Sequence, residues 1–168
     1  MSSHSRQTAS LLARRSGTGT VRLWNATTGA GVLTVEGQPQ IAAMAFSHDG
    51  EWIASRDQNG AIRVIQAATG TPFPMAVGHA QFVRCVTFHP DSTRVASGAC
   101  DGTLHIFDIA SGSLILERSV TIASEGFRPT GINAVAFSLD GTRVLTVDNH
   151  GEICTWDVAT GGSRRSRC

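Results

Sequence analysis

The sequence predicts an all-β fold assembled from a repeated antiparallel unit, and three observations predict it. An eleven-residue phrase occurs four times, as GTVRLWNATTG from Gly19, GAIRVIQAATG from Gly60, GTLHIFDIASG from Gly102 and GEICTWDVATG from Gly151, so its starts lie 41, 42 and 49 residues apart. A period near 40 residues is that of a small supersecondary block whose apolar face only a stacked neighbour can bury. Within each phrase large residues alternate, Val21 and Leu23 with Arg22 and Trp24 for instance, which is the two-residue period of a strand. Eighteen glycines and five prolines among 168 residues supply the tight turns that many short strands require.

The phrase strand carries apolar side chains on both faces: Ile62, Val64 and Ile65 in the second copy, and Leu104, Ile106 and Phe107 in the third. A strand of that kind is covered on each side. Ahead of it stand the turn signals Asn59-Gly60 and Asp101-Gly102, with His150-Gly151 a weaker version. A second strand precedes each turn, as EWIAS from Glu51, TRVAS from Thr93 and TRVLT from Thr142. A third lies earlier, as IAAMAFS from Ile41, FVRCVTFHP from Phe82 and INAVAFS from Ile132, joined to the second by HDG, PDS and LDG. Those links are turn chemistry. A more polar strand follows the phrase, as GVLTVEG from Gly31, TPFPMAVG from Thr71 and SLILERS from Ser113. Pro72 and Pro74 fit it only as an edge. Four antiparallel strands ending in an exposed edge make one propeller blade.

The stretch GHAQFVRCVTFHPDSTRVASGACDGTLHIFDIASG, from Gly78 to Gly112, resembles a WD40 repeat from its Gly-His opening to its Phe-Asp close. The resemblance runs in register over residues 11–161 and implies a β-propeller that scaffolds protein complexes without chemistry of its own. It also implies a stiffening tetrad of His, Ser/Thr, Asp and Trp in each blade. The third unit offers His79, Ser97 and Asp101, but Phe107 stands where Trp is usual and has no N–H to donate. The fourth offers Thr146 and Trp156, with His150 in the Asp position, and the second has Ile65 in place of Trp. With no complete tetrad, these blades are expected to depend on packing.

Strand counting gives three in the first unit, which lacks the innermost, four in each of the next two, and three in the last. The expectation is a WD40-like β-propeller segment in an open arc, two blades whole and two partial, over 11–36, 40–77, 82–119 and 132–158. Residues 1–10 are expected to be a disordered N-terminus, and the arginine-bearing residues 162–168 a basic disordered tail. Closed propellers use roughly four to eight blades. Three readings therefore stay open: a fragment or truncated form of a longer array, completion of the ring by another chain, or a stable arc. Self-association is one way the second would be met.

Bulk composition narrows function. A net charge of +1 gives no field for coating nucleic acid or anionic lipid, and no run approaches a membrane span. Cys85, Cys100, Cys154 and Cys168 form no CxxC pair and read as reduced thiols, which places the protein in the cytoplasm or nucleus. The arginines before Glu36 mimic a mitochondrial presequence, but Leu11-Leu12-Ala13 falls where the repeat needs a strand. No phosphate loop, GxSxG elbow or converging ligand set is present, so neither catalysis nor a cofactor is expected. His105 and Cys154 hold equivalent positions and so could face each other, but two side chains do not make a metal site. His48 and His89, in turns, are expected to be solvated.

The resemblance implies that a protein partner meets the narrow end of the blades. There the third unit would present Phe82, Arg84 and Cys100, the second Gln40, Ala42 and Gln58, and the fourth Gly131, Asn133 and Asn149. Phe82 beside Arg84 has the aromatic-plus-arginine character of binding hot spots. The loop over 119–131 exceeds its repeat by about seven residues; such loops are often functional, and a plain surface excursion is the alternative reading. The closings ATTG, AATG and DVATG resemble arrays attached to larger signalling proteins. The expected function is a non-catalytic protein-interaction scaffold; the alternative is a structural subunit of an RNA-associated complex.

Overall fold

Each alternating segment forms a strand in the computed structural model, which describes residues 11–15, 20–36, 41–57, 61–73, 79–120 and 130–166. The first sheet holds β1 (Leu11–Arg15), β2 (Val21–Asn25) and β3 (Gly31–Val35). The second holds β4 (Ile41–Phe46), β5 (Trp52–Asp57), β6 (Ile62–Gln66) and the two-residue β7 (Pro72–Phe73). The third holds β8 (Val83–Phe88), β9 (Arg94–Ala99), β10 (Thr103–Asp108) and β11 (Leu114–Ser119). The fourth holds β12 (Ile132–Phe137), β13 (Arg143–Asp148), β14 (Ile153–Asp157) and β15 (Ser163–Ser166). All pairings are antiparallel and follow chain order, so each sheet is one blade.

The last blade corrects the sequence reading. Ser163–Ser166 is its outer strand, with Thr155 opposite Arg164 and Trp156 opposite Ser163, where a disordered tail was expected. Its polar composition suits an edge, which needs only one partner strand. The fourth blade thus has four strands and extends beyond residue 158. Residues 1–10, the loop positions 121–129 and residues 167–168 lie outside the described residues.

Turn chemistry acts where the sequence places it. Asp91 Oδ1 accepts from the Thr93 amide at 2.8 Å, and Asp140 Oδ1 from the Thr142 amide at 3.0 Å, closing the links between inner and second strands. The glycines that close the four phrases, Gly29, Gly70, Gly112 and Gly161, all have φ between +69° and +72°, a left-handed conformation that costs a glycine little.

Three apolar clusters, one at each blade boundary, hold the arc together. Val21 and Leu23 of the first blade meet Ile53 and Ile65 of the second. Ile62 and Val64 meet Val83, Val95 and Phe107 of the third. Leu104 and Ile106 meet Ile132, Val144 and Trp156 of the fourth. The phrase strand therefore points its two faces into successive interfaces, which explains why both are apolar. None of these clusters joins the fourth blade to the first, so the described residues form an open arc.

Polar contacts add to the boundaries. His89 is buried, against expectation: its Nε2 lies 2.9 Å from the Gly141 carbonyl and its ring meets Phe137 edge-on, so it joins the turns of the third and fourth blades. Arg118 Nε donates to the Gly161 carbonyl at 3.0 Å across the same boundary. His48, by contrast, is exposed.

Candidate partner-binding site

The inner strands each carry an extra residue at one point. In β8 the register runs Val83 opposite Ala99 and then Cys85 opposite Gly98, so Arg84 has no cross-strand partner. The same slip leaves Asn133 unpaired in β12 and Ala42 in β4. Such a bulge bends the strand and re-aims the side chain of the extra residue. Repeated blade by blade, it places residues 84 and 133 side by side on one rim.

That rim is where the predicted partner-binding residues meet. Arg84 Nη1 donates to the Asn149 side-chain oxygen at 2.5 Å and also to that of Asn133, while Arg84 Nε lies 3.0 Å from Cys100 Sγ. Asn133 is itself held, its Nδ2 donating to the Asp148 carbonyl at 3.3 Å. The Cys100 amide donates to the Phe82 carbonyl at 2.9 Å, and in the next blade the Asn149 amide donates to Gly131 at 3.1 Å, so Phe82 and Gly131 are equivalent. A Cβ on Gly131 would stand 3.1 Å from Cys100 Cα and 3.3 Å from Asn149 Nδ2, so glycine lets the two blades close here. Phe82, two residues before Arg84, is 58% exposed. Arg84, itself exposed, thus has three fixed contacts and still faces solvent. Gln40 and Gln58 lie outside the described residues.

The tetrad residues divide between two blades. In the third, His79 is buried with Nε2 2.7 Å from Ser97 Oγ and Nδ1 2.6 Å from Thr103 Oγ1. Thr103 in turn donates to Asp101 Oδ1 at 2.5 Å, so Asp101 reaches His79 through a threonine. Burial, the charge of His105 and, in the opposite sense, Asp101 bring the His79 pKa down to about 4. Phe107 adds no polar contact and is wholly buried in the cluster against the second blade. In the fourth, Trp156 Nε1 donates to Thr146 Oγ1 at 3.0 Å. The turn there is closed by Asp148, whose Oδ1 accepts from His150 and Glu152 amides at 2.8 and 2.9 Å. The carboxylate missing at 150 is supplied two residues earlier.

His105 stacks on His79, ring centroids 3.9 Å apart and planes within 10°. Its strand neighbours Leu104 and Ile106 face the fourth blade, and so does the cluster that contains Cys154. Alternation therefore puts His105 and Cys154 in different interfaces, and they do not face each other. Thr103 and the His105 stack carry no motif of their own; only the pairing of β9 with β10, which sets His105 opposite Ser97, brings them to His79.

Replacing Trp156 with Phe tests the Trp–Thr contact. Phe107 shows that a benzyl group fits the equivalent position, so the main loss is the partner of a hydroxyl on Thr146, which is 1% exposed. The expected cost is about 1–3 kcal/mol in urea unfolding.

The family model described as "WD domain, G-beta repeat" matches residues 30–66 and 72–108. Both windows begin at an outer strand and end with the phrase strand of the following blade, so the sequence repeat straddles two blades. The chain is similar to activating molecule in BECN1-regulated autophagy protein 1B of Danio rerio, 35% identical over 117 residues, which is 68% of this chain and 8% of that protein. It is similar to WD repeat-containing protein 1 of Xenopus tropicalis, 35% identical over 91 residues, 54% of this chain and 14% of the relative. It is also similar to apoptotic protease-activating factor 1 of Homo sapiens, 29% identical over 151 residues, 88% of this chain and 12% of the relative. It spans only a small part of these relatives. In phrase, blade order and matched repeats alike, the chain belongs to the WD40-repeat family.

Proposed function

We propose that this chain is a non-catalytic interaction scaffold that holds a protein partner at the rim formed by Phe82, Arg84, Cys100, Asn133 and Asn149. The observation that carries the reading is the fixed Arg84 guanidinium, bonded to Asn149 of the next blade at 2.5 Å, two residues along the chain from the exposed Phe82. An arginine already ordered by its neighbours loses little side-chain entropy on binding. Arginine and aromatic anchors are the residues that most often dominate interfaces. Cys85, Cys100 and Cys154 form no disulfide among the described residues, which suits a reducing compartment, the cytoplasm or nucleus.

The test is selection of peptides from a random display library on the full chain, followed by affinities for variants. Phe82→Ala and Arg84→Ala are each expected to weaken selected peptides about 30-fold, the effect of losing about 2 kcal/mol at a hot spot. Leu139→Ser, at a 98% exposed position elsewhere, is expected to change nothing. Peptides that bind all three variants equally would overturn the proposal. A steep salt dependence of RNA affinity, with no selectable peptide, would replace it with the RNA-associated reading.

A further inference from the structure

The charge at the rim between the third and fourth blades is unbalanced. Arg84 Nη1 is taken by the side-chain oxygens of Asn133 and Asn149, and Nε by Cys100 Sγ. Two carboxamides and a thiol fix the guanidinium in place without cancelling its charge. Among the described residues Arg84 is in no ion pair, and its Nη2 has no hydrogen-bond partner. Asn149 is exposed as well, and its Nδ2 sits on the same carboxamide whose oxygen Arg84 holds.

A second cation stands close by. Arg56 of the second blade donates from Nη1 to the Val83 carbonyl at 2.5 Å, one residue along the chain from Arg84. Both guanidinium charges reach Cys85: burial pushes its thiol up to about 11, while a Gly98 hydrogen bond and then Arg56 and Arg84 act in the opposite sense. The carboxylates adjacent in sequence are spent on their own turns. Asp101, next to Cys100, accepts from the Thr103 amide at 2.9 Å and from the Ala80 amide at 3.1 Å. Asp148, next to Asn149, is 2% exposed, and its Oδ1 takes the His150 and Glu152 amides.

Open N–H donors with uncompensated positive charge attract an anion and repel a cation. A guanidinium bonded to a carboxylate makes a hydrogen bond roughly twice as strong as a neutral pair does. One guanidinium nitrogen remains open, with the Asn149 amide near it, and that suits the two oxygens of a carboxylate. A phosphate dianion takes more donors than this. Nucleic acid needs a row of cations along its backbone, which a chain of net charge +1 does not lay out here.

We propose that the partner polypeptide presents an aspartate or glutamate side chain to Arg84 Nη2, flanked by an apolar residue for Phe82. This specificity rests on the rim being the protein-binding site, and adds a selection for charge to the apolar contact that Phe82 offers.

The experiment passes three displayed peptide libraries over the immobilised full chain. Their peptides are randomised among leucine, phenylalanine, serine and glycine around a central residue fixed as glutamate, glutamine or lysine. The glutamate library is expected to be retained about tenfold above the other two, and to fall to the glutamine level on Arg84→Ala. In Arg84→Glu the order is expected to reverse, with lysine above glutamate, which also shows that the variant is folded. Equal retention of the glutamate and glutamine libraries, still lost in Phe82→Ala, would overturn the acidic preference and leave the rim reading standing. Retention that neither Phe82→Ala nor Arg84→Ala reduces would overturn both. A phosphoserine peptide, or oligouridylate, that displaces the glutamate library at lower concentration than a glutamate peptide does would overturn the carboxylate in favour of phosphate.

Discussion

Truncating Phe107 to alanine is expected to remove about 3–5 kcal/mol of stability, the usual cost of deleting a buried aromatic ring. Phe107 is 0% exposed and packs with Val64, Val83, Val95 and Ala54 at the boundary of the second and third blades. Two consequences add. The ring's own transfer free energy is lost, and the cavity lies between two sheets whose backbones are fixed by their ladders and collapse poorly. Globular domains have only about 5–15 kcal/mol in total, so the variant is expected near its unfolding threshold at room temperature. Urea unfolding followed by tryptophan fluorescence measures it. A loss below about 1 kcal/mol would show that the blades do not depend on this interface.

Acid is expected to weaken the fold in two stages. The unfolded chain protonates His79 near the ordinary value of 6.5, whereas the folded protein does so only at about 4. Between those values the unfolded state holds the extra proton, so stability falls as pH drops through the window and levels off beneath it. The size is on the order of 3 kcal/mol, from about 1.4 kcal/mol per pKa unit. His105 is also lowered, mainly by burial, and acts with the same sign. The carboxylates come later. Asp101 is lowered because hydrogen bonds from Thr103 and the charge of His79 outweigh the opposing effect of burial. Its stabilisation is present above the unfolded carboxylate value and disappears only below it. A urea midpoint that falls from pH 6.5 to 4, and that is flattened in His79→Gln, is the expected result; a flat profile in the native chain would contradict it.

Both effects arise where the sequence is most and least readable. Phe107 was legible as an interior strand residue because alternation on the phrase strand marks two covered faces. Its consequence, a blade held by packing without the tryptophan N–H, was legible as well. The stack of His105 on His79 was not, since it depends on a loop residue meeting a strand that begins 24 residues later. Asp148 was missed for a similar reason: repeat alignment points to position 150, and only the turn's hydrogen bonds show that the earlier carboxylate closes it. The strand at Ser163–Ser166 has almost no intrinsic β character and forms through pairing with β14.

The rim was half legible. Repeat alignment puts Phe82, Arg84, Cys100, Asn133 and Asn149 at one end of the blades. It does not show that the bulges at 84 and 133 turn those side chains towards each other. Bulges leave little trace in composition, because the inserted residue need not be glycine.

The rim site is tested most directly by backbone amide chemical-shift mapping of the full chain on adding a display-selected peptide. The predicted result is a contiguous set of shifts at Phe82–Arg84, Cys100, Asn133 and Asn149, spanning the third and fourth blades. Shifts confined to the outer strands, with those rim amides unmoved, would contradict it.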